Sequence, residues 1–240
     1  MLILLSSSKT QDITTNTISN LSAPIFKKQT QEILKTYQTY SQKKIKELMK
    51  TNDVLTKSTF ENFKNFDNQT IKKAALSMYT GAVYRPFNIN TFTKKDFSFA
   101  QNHIYILSGL YGLLRPLDQI KPYRLEMKFT HKIWKQPLTS HLKKDNKKII
   151  NLASKESTLA LDLKLLSSQI VTPVFKEDKN GTLKSIATYA KMARGEMANW
   201  IIKNNIESID EVKKFTITGY VFDQNLSSDS EFVFVRKHDL

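Results

Sequence analysis

The sequence predicts an α/β fold: a single compact domain, residues 1–240, with a mixed sheet flanked by helices. Three observations point there. Short apolar runs at Leu2–Leu5, Ile104–Leu107 and Lys148–Leu152 read as buried strands. The stretches between them carry apolar residues at three- and four-residue spacing, the alternation that gives partly parallel pairing. No internal repeat or low-complexity linker divides the 240 residues, a length that can bury one full core.

Taken in chain order, Met1-Leu-Ile-Leu-Leu-Ser6 is a buried first strand. It is too short for a signal peptide and lacks a basic flank and a cleavage site. Residues 27–50 are helical: Ile33, Leu34, Tyr37 and Tyr40, then Ile45, Leu48 and Met49, recur on one side. Lys27, Lys28, Lys35, Lys43, Lys44, Lys46 and Lys50 decorate the other, against Glu32 and Glu47. A second helix, Asp53 to Phe66, follows the short link Lys50-Thr-Asn-Asp53, so the two form a hairpin. Another helix is expected from Thr70 to Tyr79, stopped at Gly81. Later segments read as antiparallel. Val171–Lys176 and Leu183–Tyr189 flank Lys179-Asn-Gly181, and Asn-Gly is a strong hairpin-turn signal. Ala190 to Asn204 is a helix, and Phe215–Phe222 with Glu231–Arg236 is expected to add a last hairpin at an edge, joined by the solvated turn Asn225–Ser230.

Composition narrows the chemistry. There is no Cys, which excludes disulfides, thiolate catalysis and Cys-based metal sites and makes a cytoplasmic location the default. No apolar run approaches the roughly 20 residues that span a bilayer, so no membrane partner is expected. His103, His131, His141 and His238 have no metal-ligand spacing, and no metal or other cofactor is expected. A Walker A loop, a G-x-G-x-x-G turn and a nucleophile elbow are all missing. The net charge of +15 favours a polyanionic partner. A strongly AT-biased genome would also enrich Lys, Asn, Ile and Thr at neutral positions. Such drift does not explain where arginine is kept. Only five of the 37 basic residues are Arg: Arg85, Arg115, Arg124, Arg194 and Arg236. A guanidinium binds carboxylate or phosphate through two parallel hydrogen bonds, which an ammonium cannot do.

Two of those arginines fall in the block Ile106–Met127, which breaks at Gly109 and Gly112 and then alternates Arg115, Asp118, Arg124 and Glu126. Asp118 and Glu126 can act as acid or base, or simply pair with the two arginines. Each buried strand runs into small polar residues: Ser6-Ser-Ser-Lys9-Thr10, Ser108-Gly109, and Asn151 to Ser154-Lys155. In open α/β sheets ligands bind beyond the carboxyl ends of the strands, so these ends are expected to converge on one polar, partly cationic cleft. Lys191 and Arg194 lie three residues apart in Tyr189-Ala-Lys-Met-Ala-Arg-Gly195 and share a helix face. Gly195 costs that helix roughly 1 kcal/mol relative to Ala, tolerable where a backbone or ligand approaches closely. Tyr111 and Tyr123 are the best candidates for stacking.

These blocks together resemble the YaaA family of bacterial peroxide-stress proteins. The family's Ser-Pro-Ala-Lys-Thr-Leu-Asp corresponds to Ser6-Ser-Ser-Lys9-Thr10-Gln-Asp12, where Lys-Thr-x-Asp survives and Pro-Ala does not. Its long Leu-Ser-Gly-Leu-Tyr-Gly to Tyr-Arg-Leu-Glu-Met motif is unbroken at 107–127. Ile-Asn-Leu-Ala-Ser stands at 150–154, followed by Glu156-Ser157 in place of Glu-Tyr, and Tyr-Ala-Lys-x-Ala-Arg-Gly stands at 189–195. Gly219-Tyr220 and Val233-Phe-Val-Arg236 complete it. The resemblance implies a positively charged cleft, a helix-hairpin-helix-like element, binding to double-stranded or branched DNA, and a role in limiting DNA damage under hydrogen peroxide, with lower free iron.

The expected function is therefore DNA binding by a monomer. Lys9, Arg115, Arg124, Lys191 and Arg194 would line the cleft, with Lys43, Lys44 and Lys50 gripping flanking phosphates. Ser6, Thr10, Asp12, Ser108, Gly109, Tyr111, Asp118, Tyr123, Glu126, Asn151 and Ser154 would shape it. The alternative is an enzyme acting on a damaged base, nucleotide or related small molecule in the same cleft, with Lys9 or Lys191 as nucleophile or clamp and Asp118 or Glu126 as acid or base.

Overall fold

A computed structural model describes residues 1–14 and 18–237; His238 lies outside them. In chain order the elements are β1 (Leu2–Ser6), α1 (Lys27–Gln38), α2 (Gln42–Met49), α3 (Asp53–Lys64), β2 (Lys73–Ala74), α4 (Ala75–Met78), α5 (Lys94–His103), β3 (Ile104–Ser108), β4 (Gly112–Leu114), β5 (Gln119–Ile120), α6 (His131–Asp145), β6 (Ile149–Asn151), α7 (Lys155–Thr158), β7 (Ile170–Lys179), β8 (Thr182–Lys184), α8 (Ala187–Asn204), α9 (Ile209–Val212), β9 (Val221–Phe222) and β10 (Glu231–Lys237). Short 3₁₀ turns join several of them.

The main sheet runs β4-β3-β1-β6-β7-β10-β9, with β8 paired to β7. Its centre is parallel: Ile3 faces Ile104 on β3, Leu2 faces Ile149 on β6, and Ile149 faces Ile170 on β7. A parallel strand covered by helices on both faces reads as a continuous apolar run. Leu2, Ile3, Leu4 and Leu5 are accordingly all buried. The edges are antiparallel, β4 on β3 and β9 on β10. The sheet is therefore mixed and helix-flanked, as the sequence predicts.

Local chemistry explains the boundaries. The 27–50 region is two helices, because Ser41 leaves the helical conformation and its hydroxyl accepts from the Lys44 amide at 3.2 Å as an N-cap. Asn52 caps α3 in the same way, accepting from Leu55 N at 2.9 Å. The β7–β8 hairpin turns at Asn180 and Gly181, whose φ values of 52° and 80° are the pair a tight hairpin turn demands.

Three expectations need correction. The helix expected over Thr70–Tyr79 is only α4, because Lys73 and Ala74 pair as a strand with β5. The strand expected to run to Tyr189 stops at Lys184, and α8 begins at Ala187 rather than Ala190. Over Phe215–Phe222 only Val221 and Phe222 form a strand, since Thr218 and Gly219 take φ of 53° and 82° and break the extended run. The edge hairpin expected there does form, from β9 and β10 paired antiparallel with β9 outermost, and β10 also pairs parallel with β7 from Glu231↔Thr172 to Lys237↔Asp178.

That last pairing holds a buried ion pair. Arg236 and Glu177 are register partners on β10 and β7, with Arg236 Nε donating to Glu177 Oε2 at 2.9 Å. The Tyr220 hydroxyl donates to the other carboxylate oxygen, and Arg236 lies over the Tyr220 ring at 4.6 Å. The Gly219-Tyr220 and Val233–Arg236 motifs thus meet as one structural lock.

Candidate functional site

The carboxyl ends of the parallel strands meet through hydroxyl groups. Ser6 ends β1, and its Oγ accepts from Ser154 N and from Ser157 Oγ, both at 2.8 Å. Ser154 caps α7, just beyond β6. The Tyr84 hydroxyl donates to the Ser6 carbonyl at 2.7 Å, tying in the segment after Gly81.

The 107–127 block folds back over the end of β3. A Cβ on Gly109 would fall 2.3 Å from the Leu125 carbonyl oxygen, so only glycine permits that approach. Thr130 Oγ1 and Trp134 Nε1 both donate to the Gly109 carbonyl, at 2.8 and 2.9 Å, and anchor it. Beneath the return segment the Tyr123 hydroxyl bonds Ser108 Oγ and the Tyr79 hydroxyl, each at 2.7 Å. Burial pushes both tyrosine pKa values up, so these hydroxyls stay neutral.

Above this floor lies a cavity of about 430 Å³. Lys9, Arg124, Lys191 and Arg194 bring positive charge to its lining, and Glu126 and Glu156 negative charge. Lys9 Nζ is 3.1 Å from Glu126 Oε1, and Arg124 Nη2 is 3.4 Å from the same oxygen. Glu126 therefore sits between two cations with its side chain only 6% exposed. Burial lowers the Arg194 pKa from its ordinary value, though a guanidinium stays charged at neutral pH. Gly195 explains how α8 comes so near: a Cβ there would lie 2.0 Å from the Val83 carbonyl oxygen, on the segment that forms another wall.

Of the residues expected in one cleft, Ser6, Lys9, Thr10, Tyr123, Arg124, Glu126, Ser154, Lys191 and Arg194 line this cavity. Ser108 and Gly109 support it from beneath. The others lie outside its lining, each with a different task. Asp118 is fully buried and accepts from Arg115 N, Nε and Nη2 and from Ser22 Oγ, while Arg115 also donates to Ala23 O. That pair is a clasp around the 115–118 turn. Tyr111 packs edge-on against Tyr123 and accepts from Lys121 N. Asn151 bonds Thr172 and the Ala153 amide. Lys43 and Lys44 are exposed on α2, and Lys50 caps its end with φ of 51°.

Asp12 faces Lys73, a buried lysine, at 2.6 Å. The hydrogen bond from Lys73, helped by Thr14, holds the Asp12 carboxyl down at about 2. A depressed carboxyl pKa contributes stability that is complete above about 4 and is lost as pH falls towards about 2. Thermal melts of wild type should lose ground over that interval, and Asp12→Asn should flatten this part of the pH profile. An unchanged slope in the variant would mean that Asp12 is not the responsible group.

The 81–84 wall could not be anticipated from the residues alone. Gly81 reads simply as a helix stop, yet the segment after it supplies Ala82, Val83 and Tyr84 to the lining. The signal available was Gly195 inside a helix, which demanded a close neighbour without saying which. Among the described residues no group of three or more His, Asp or Glu side chains is placed to hold a metal ion. No helix among them is long and apolar enough to cross a membrane.

Comparison with known proteins agrees over the whole length. A family model described as peroxide stress protein YaaA matches residues 1–226. A UPF0246 protein of Crocosphaera subtropica is 37% identical over 251 residues, covering 98% of this chain and 100% of its own. A UPF0246 protein of Francisella philomiragia is 38% identical over 254 residues, with 98% and 100% covered. One from Rickettsia felis is 38% identical over 251 residues, with 99% and 100% covered.

Proposed function

This chain belongs to the peroxide stress protein YaaA family, and from that premise we propose that it binds duplex or branched DNA in a basic cleft and so limits oxidative DNA damage during hydrogen peroxide stress. One observation carries this reading. Lys9, Arg124, Lys191 and Arg194 come from three separate parts of the chain and gather on one cavity. Glu126 and Glu156 offset two of these four positive charges, and holding the remaining two together is unfavourable unless a further anion balances them. The net charge of +15 supplies the wider field that draws a polyanion in.

The α2–α3 pair supports the same reading as a helix-hairpin-helix-like grip. Such hairpins ordinarily carry glycine in the turn. Here Lys50 itself takes the left-handed conformation that glycine usually supplies, so the turn closes without one. Lys43, Lys44 and Lys50 would then meet flanking phosphates, and the protein would act as a cytoplasmic monomer.

Fluorescence anisotropy with duplex and four-way-junction DNA across a salt series tests this. Affinity should fall steeply with salt, log K dropping by about 0.9 per neutralised phosphate for each decade of salt on duplex. Arg194→Ala should weaken binding roughly tenfold or more and reduce the slope by about 1. Salt-independent binding, or an Arg194→Ala variant that binds like wild type, would refute the assignment.

A further inference from the structure

We propose that the cavity is a pocket for a single nucleotide whose base carries an exocyclic amino group, with the phosphate on Lys191 and Arg194 and the amino group donating to Glu126. This deepens the DNA-binding reading and rests on it. A cleft that only grips phosphates has no use for a carboxylate, which repels them. Yet Glu126 stands on this lining, its side chain nine-tenths buried. Its Oε1 is shared by Lys9 and Arg124, while Oε2 is buried with no hydrogen-bond partner. Arg124 Nε and Arg194 Nε, from the same lining, are also buried and unpartnered. A buried polar group without a partner is unfavourable by about 1–3 kcal/mol, more when charged, and calls for an explanation. Three such atoms around one cavity are explained together by a ligand that offers both an anion and an N–H donor.

A nucleotide has both. A carboxylate only accepts hydrogen bonds, so it selects a donor edge. Guanine, adenine and cytosine present an amino group there, whereas the one ring N–H of thymine is flanked by two carbonyl oxygens that a carboxylate repels. The hydroxyls of Tyr84 and Tyr123 are already committed inside the protein, so neither competes with Glu126 for the amino group. Lys9, its side chain 56% exposed, lies over Glu126 and is free to swing aside and open the carboxylate. The volume of about 430 Å³ falls in the range for small-molecule sites, roughly 300–1,000 Å³, and suits one nucleotide, while a duplex held by these cations would lie across the mouth of the cleft. The nucleotide therefore enters either free or extruded from a strand.

Calorimetry with dGMP, dTMP and inorganic phosphate, on wild type, Glu126→Gln and Lys191→Ala, tests this. We expect dGMP to bind at least tenfold tighter than dTMP or phosphate. Glu126→Gln should remove that preference while phosphate binding survives, and Lys191→Ala should weaken dGMP and phosphate together. A dGMP affinity no greater than that of phosphate, or a preference for dGMP that survives in Glu126→Gln, overturns the proposal. A duplex carrying 2-aminopurine separates the two sources. A fluorescence rise that dGMP competes away means extrusion, and dGMP binding without the rise means a free nucleotide. Salt-steep duplex binding with no mononucleotide bound would sink this inference and leave the DNA reading standing; mononucleotide binding without duplex affinity would do the reverse.

Discussion

Replacing Asp118 by alanine should destabilise the protein by about 3 kcal/mol, the low end for breaking a buried ion pair. The carboxylate is 0% exposed and receives four hydrogen bonds, from the Arg115 amide, Arg115 Nε and Nη2, and Ser22 Oγ. Its own backbone is equally engaged: Asp118 N donates to Arg115 O, and Asp118 O accepts from Ala75 N. Removing the side chain orphans an amide and a hydroxyl and releases the 115–118 turn that carries β5. Arg115 is 32% exposed and can turn to water, which keeps the loss from being larger. Urea denaturation of wild type, Asp118→Ala and Asp118→Asn would read it, with the asparagine intermediate because it retains an acceptor. A loss below about 1 kcal/mol for the alanine variant would mean that the clasp is a surface pair of little worth.

Gly195→Ala should also destabilise, by about 1–3 kcal/mol, and here the sign is the test. Inside an exposed helix this change stabilises by up to about 1 kcal/mol. In this helix the new methyl would lie 2.0 Å from the Val83 carbonyl oxygen and 2.8 Å from its carbon. Backbone cannot step aside as a side chain can, so α8 and the 81–84 segment must separate. For a chain of this size the melting temperature should fall by roughly 2–4 °C per kcal/mol. The same displacement moves Val83 away from Lys191 and Arg194 and deforms the cavity, so ligand binding should weaken with it. A more stable variant would show that α8 does not pack as closely as described.

What was legible in the sequence follows from which interactions are local. The central strands could be read because both faces are buried, leaving Leu2–Leu5 and Ile104–Leu107 as bare apolar runs. The turn at Asn180-Gly181 could be read because its dihedral angles are a property of those two residues. The 70–79 segment could not. Its apolar spacing suits a helix, but Lys73 is drawn into an ion pair with Asp12, 61 positions away, and its backbone pairs with β5. The site divides in the same way. Arg115–Asp118 and Arg124–Glu126 look alike in sequence, each an arginine followed closely by a carboxylate. The first pair closes on itself and on Ser22, whereas the second faces a cavity and leaves atoms unpartnered. Only the path of the chain around Gly109 decides between them.

The most direct test of the central claim, that the converging cations form the DNA site, is the salt dependence of duplex affinity for wild type, Arg194→Ala and Lys214→Ala. Lys214 is an exposed lysine outside the cavity lining and carries the same charge. The cleft reading predicts that Arg194→Ala loses roughly tenfold or more in affinity and about one unit of slope, while Lys214→Ala stays close to wild type. Equal small losses in both variants would mean that binding follows total charge alone, and would contradict a DNA site in this cavity.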